Sequence, residues 1–205
     1  MRKKLFLVLS VALLSVAYVN AQFTFGARAG LNLTNFTGSD WKDLTDGESK
    51  FKPGFQLGVV GEYALSDVLA IQPGLIFAQQ GAFLYKDSDF TWGMTLNYLQ
   101  VPINIQYKLD LGGMSLLLQA GPYLGYGING ERKGGILSRD IKFGSGHDAD
   151  LKAFDLGLGI GAGVQFSSFQ VSLGYNLGLT NLNPIDIGKT QNYGFALTLT
   201  YLFGR

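Results

Sequence analysis

The chain has 205 residues, 47% of them hydrophobic and 15% charged, with 29 Gly, 5 Pro and no Cys. One domain is the natural count at this length, and low charge with 13% aromatic residues excludes a disordered chain. The missing Cys excludes a disulfide scaffold, a Cys-ligated zinc site and a thiol nucleophile, and a net charge of +1 gives no electrostatic reason for a nucleic-acid partner.

The chain opens on Arg2, Lys3 and Lys4, followed by the apolar run Leu5 to Val19 and small residues at Val19 and Ala21. This is the pattern of a secretory signal peptide over residues 1–21, with cleavage before Gln22. The apolar run, about 15 residues, is short for a membrane-spanning helix of roughly 20. Residues 22–205 then carry 13 Lys+Arg against 15 Asp+Glu, a net charge of −2.

From Phe23 onward the pattern has period two, the period of a strand whose side chains alternate between faces. Eight strands follow in order, each with an apolar face. The first runs Phe23, Phe25, Ala27, Ala29, Leu31, and the second Phe55, Leu57, Val59, Gly61, Tyr63. The third is Leu69, Ile71, Pro73, Leu75, Phe77, and the fourth Leu99, Val101, Ile103, Ile105, Tyr107. The fifth spans Leu116 to Tyr126, the sixth Phe154 to Phe166, the seventh Phe169 to Leu179 and the eighth Tyr193 to Phe203. None of these faces carries a charge.

The opposite faces carry amides, Gly and four charges: Arg28, Glu62, Lys108 and Asp155. A soluble sandwich would place many Lys and Glu on its outer face. An apolar outside with a polar, glycine-rich inside fits an eight-stranded antiparallel transmembrane up-and-down β-barrel. Only helices or closed barrels pair every backbone group inside lipid. The expected surroundings are therefore outer-membrane lipid.

Connections alternate in length. Short turns fall at 65–67, 110–113 and 167–168, and long polar loops at 33–51, 81–93, 128–150 and 181–190. Short turns are periplasmic and long loops extracellular in such barrels. Tyr63, Tyr107, Tyr126, Phe154 and Phe166 end the apolar faces and are expected in the aromatic girdles. Pro73 and Pro122 fall mid-strand, where the lost ladder bond predicts a bulge or kink. The terminal Tyr201-Leu202-Phe203-Gly204-Arg205 resembles the signal read by the barrel-assembly machinery, although Phe203 is not the last residue.

The segments FGARAGLNLTNF, EYALSD…LAIQPGLIF, YLQVPINIQYKL, QAGPYLGYG and FDLGLGIGAGVQF, in this order, resemble the PorT-like outer-membrane β-barrel domain family of Bacteroidota. The resemblance covers nearly all of 22–205 and implies an eight-stranded barrel without implying one activity.

Residues that carry chemistry are sparse. His147 lies near Asp148 and Asp150, and Asp40, Asp43, Asp46 and Glu48 cluster in the first long loop. Neither group has the spacing of a catalytic or metal site, so no cofactor, no metal and no enzymatic activity are expected. Gly157, Gly159, Gly161 and Gly163 lack the strand–turn–helix setting of a phosphate loop. They are expected to face the lumen and leave room for side chains from across the barrel. The inward charges Arg28, Glu62 and Lys108 are expected to form a buried ionic cluster low in the lumen, structural or a gate, because a buried charge must be paired. The expected function is a non-enzymatic outer-membrane protein with a structural or surface-interaction role through an extracellular loop partner. The alternative is a small porin; eight strands leave an interior just wide enough for side chains.

Overall fold

The alternating sequence gives nine strands in a computed structural model, which describes residues 23–39, 41, 49–86, 91–134, 137–144, 148–184 and 188–204. They are β1 (Phe23–Thr37), β2 (Lys50–Ala64), β3 (Leu69–Lys86), β4 (Thr91–Asp110), β5 (Ser115–Gly134), β6 (Leu137–Asp140), β7 (Phe154–Phe166), β8 (Phe169–Gly178) and β9 (Gln191–Leu202). The expected signal peptide 1–21 lies outside the described residues, as do Asp40, Asp43, Asp46, Glu48 and His147.

Eight strands close an antiparallel barrel. Each neighbour in the series β1 to β5 pairs with the next, β5 pairs with β7, and β9 returns to β1. Closure removes every edge within the bilayer. The apolar faces point outward: Leu31 is 65% exposed, Ile105 56% and Ile160 62%. Tyr126 and Phe154 touch edge to face at 5.2 Å near the extracellular end of this surface. Phe169 and Tyr201 pack at 4.9 Å near the opposite end.

Three of the expected long loops are shorter than the alternation alone implies. The loop expected at 81–93 is largely strand, because β3 continues to Lys86 and β4 begins at Thr91. Likewise β5 runs to Gly134 inside the span expected as a loop at 128–150, and β6 pairs with it there. The 33–51 connection is shortened by β1 at one end and β2 at the other. About ten residues cross a bilayer as a strand, whereas β4 and β5 have 20 each. The surplus stands outside, where alternation is no longer required, and backbone pairing alone continues the ladder.

Pro73 and Pro122 produce no register shift. Val60↔Gly74 and Tyr63↔Ile71 flank Pro73 in one register, and Pro122 pairs directly with Leu158. The missing donor costs a local bond without inserting a residue. Shifts fall between Phe51 and Gln56, Phe83 and Tyr85, and Asn97 and Tyr98, all toward the extracellular side.

The β7 glycines face the lumen as expected, but the room they leave borders atoms of the adjacent strands β5 and β8 and not side chains from across the barrel. A Cβ on Gly157 would lie 2.4 Å from the Tyr123 ring on adjacent β5. Gly157 thus leaves the space that this ring occupies.

Candidate functional site

Inward positions build three layers in the lumen. The lowest is polar. Lys108 and Glu62 form an ion pair, with side chains 9% and 3% exposed. Glu62 Oε2 also accepts from Gln170 Nε2 at 2.8 Å and Gln72 Nε2 at 3.2 Å. Gln170 Nε2 donates further to Gln165 Oε1 at 3.1 Å. Arg28 donates through Nη2 to Gln72 Oε1, and through Nε to Thr200 Oγ1 at 2.9 Å. The network therefore joins β1, β2, β3, β4, β7, β8 and β9.

The predicted residues meet in one layer by two different routes. Glu62 and Lys108 pair directly. Arg28 is linked to Glu62 through Gln72, and no carboxylate oxygen lies within ion-pair distance of it among the described residues. Glutamine can do this because one amide accepts from a cation while donating to a carboxylate. Period-two parity puts Gln72 and Gln170 on the inner faces beside these charges, but nothing in the sequence marks the bridging.

Above this floor lies a cavity of about 60 Å³, lined by Arg28, Gln56, Gln100, Asn104, Gln119 and Asn176 among others. A second, of about 20 Å³, lies among Asn32, Gln80, Tyr123 and Asn192. Beside it sits Asp155, fully buried. Its Oδ2 accepts from Asn192 Nδ2 at 2.8 Å and Tyr123 OH at 3.4 Å, and its Oδ1 has no hydrogen-bond partner among the described residues. Inward parity places Asp155 in the lumen from sequence, but its isolation from any cation depends on the fold.

The top layer is apolar. Phe36, Met94, Leu96 and Tyr98 point inward from β1 and β4, and Trp41, Ile141, Leu151 and Leu182 close over them. Phe36 and Trp41 pack edge to face at 4.8 Å. The connections that supply these residues are tied together. Lys152 N donates to Leu182 O, Leu182 N to Thr190 O, and Lys189 N to Ser39 Oγ. An apolar cap and an ionic floor thus stand at the two ends of a polar chamber. No group of three or more His, Asp or Glu side chains able to hold a metal occurs among the described residues.

The family model described as outer membrane protein beta-barrel domain matches residues 20–183. Among solved structures, the outer membrane protein OprG from Pseudomonas aeruginosa is similar, with a TM-score of 0.50 at 11% identity over 90% of this chain and 97% of that one. Neisserial surface protein A gives a TM-score of 0.49 at 12% identity, covering 89% of this chain and 97% of that one. Ail, the attachment invasion locus protein of Yersinia pestis, gives 0.47 at 16% identity, covering 89% and 99%. At these identities the likeness concerns the fold alone. No curated protein matches the chain.

Proposed function

We propose that this protein, which belongs to the outer membrane protein beta-barrel domain family and resides in the outer membrane, works as a closed, non-enzymatic barrel carrying a folded platform on the cell surface. The observation that supports this reading is the lumen. Its two cavities, of about 60 and 20 Å³, lie between an ionic floor and an apolar cap. About 10–15 Å³ holds one water, so these volumes suit a few waters and not a continuous path for solutes. The platform is the extension of β3, β4 and β5, with β6 against it.

A narrower kinship with the PorT-like barrels of Bacteroidota is part of the same reading, supported by the order of YLQVPINIQYKL and the EYALSD…LAIQPGLIF pair. The test is single-channel recording of the purified protein in a planar bilayer. The expected result is an absence of discrete steps. Steady steps that change with Glu62→Ala would overturn the closed-barrel reading and make the small porin the better one.

A further inference from the structure

We propose that the middle of the lumen binds one small monovalent inorganic anion, of chloride size, on Arg28. In the lower lumen Glu62 is matched by Lys108, and Arg28 adds a second positive charge without a carboxylate in pairing range among the described residues. The remaining inward carboxylate, Asp155, is too distant to balance it. Asp155 is held by Asn192 and Arg28 by Thr200. These two β9 residues are eight positions apart, about 26 Å along a strand. An unmatched charge in a barrel ringed by lipid is costly, and a counter-ion removes that cost.

A guanidinium has five N–H groups. One goes to Thr200 and one to Gln72, and the other three have no protein acceptor among the described residues. Arg28 is 7% exposed, and its open side lines the 60 Å³ cavity. The cavity wall brings amides and no carboxylate: Gln56, Gln100, Asn104, Gln119 and Asn176. Gln100 and Asn104 make no hydrogen bond to another described residue, so their NH₂ groups are available to turn toward an anion. A guanidinium facing side-chain amides is a donor-rich cradle. Its volume admits a halide with a few waters and excludes a sugar phosphate or a nucleotide.

On the closed-barrel reading proposed above, the anion exchanges only when the floor or the cap opens. The experiment therefore loads the anion during folding. Protein purified from membranes is unfolded in urea and refolded in detergent with bromide as the sole halide. It is then crystallised from bromide, and the anomalous signal is measured. The expected result is a bromide peak within about 3.5 Å of the Arg28 guanidinium. In folded Arg28→Gln its occupancy should fall at least about tenfold, as expected on loss of a charge-assisted donor. Should Arg28→Gln not fold, Gln100→Leu replaces it, since that change leaves the ionic floor intact, and its bromide occupancy is expected to fall as well. Only water beside Arg28 in wild-type crystals would overturn the proposal. So would a peak that persists undiminished in the variant that folds.

Discussion

Gln170 on β8 reaches across the lumen and donates to Glu62 on β2, Nε2 to Oε2 at 2.8 Å. The same carboxylate carries the ion pair to Lys108 on β4 and accepts from Gln72 on β3. One carboxylate thus ties together strands that the backbone ladder does not join directly. Glu62→Ala should destabilise the barrel by about 3 kcal/mol, because it leaves Lys108 buried without its ion-pair partner. Urea unfolding in lipid bilayers measures this, and a change below about 0.5 kcal/mol would refute the pairing.

Asp155 should behave in the opposite sense. Its carboxylate is buried with two donors on Oδ2 and none on Oδ1. Asp155→Asn keeps an acceptor for Asn192 and Tyr123 while removing a buried charge, so stability should stay level or rise. Asp155→Ala strands both donors and should cost about 2 kcal/mol. The same unfolding assay, run on both variants, separates the charge from the hydrogen bonds. Equal losses in the two would contradict this account.

Trp41 packs on Phe36 in the apolar cap at the extracellular end. Trp41→Ala should loosen the cap without loosening the barrel. The amides of Ile141 and Lys152, which donate to Gly130 and Leu182 carbonyls, should then exchange with solvent faster. Amides of the β7–β8 ladder should not change. Hydrogen–deuterium exchange resolves the two regions, and unchanged rates at Ile141 and Lys152 would show that the cap does not depend on Trp41.

Ser167 turns β7 into β8 with φ at 52°, in the left-handed region. Short hairpins favour Gly where φ is positive. Ser167→Gly should stabilise the barrel by about 0.5–1 kcal/mol. A lower unfolding midpoint would show that the Ser side chain contributes more than its backbone angle costs.

Orientation can be checked because the chain has no Cys. Leu137 on β6 is 76% exposed, and Ser66 lies in a short turn. On intact cells a membrane-impermeant maleimide should label Leu137→Cys and leave Ser66→Cys unlabelled until the envelope is opened. The reverse pattern would invert the assignment of platform and turns.

The barrel was legible because lipid enforces a rule on every residue of a spanning strand. Leu197 and Leu199 must face out and Thr198 and Thr200 in, so alternation survives throughout β9. Above the bilayer water lies on both sides and the rule lapses. The stretch Asn129-Gly130-Glu131-Arg132-Lys133 in β5 shows no apolar alternation, which is why it reads as loop although it is paired with β4. The lumen was legible in part. Parity alone puts Arg28, Glu62 and Lys108 inside. Which of them touch depends on the circular order of strands and on long amides such as Gln72, whose reach leaves no periodic trace. The cap was hidden for a further reason. Its members Trp41, Ile141 and Leu182 are single apolar residues in polar connections, and only folding brings them together.

The paired extension of β4 and β5 bears on how a partner would be met. Roughly ten residues of each strand lie beyond those needed to cross, a rise of about 25 Å at the usual strand tilt. Any molecule that engages this projection meets a backbone already fixed by its own ladder. Binding there would not have to freeze a wandering loop, so the entropy of ordering is spent during folding and not at the moment of contact. A surface of this kind favours a slow release of what it holds, and a narrow choice of what it accepts.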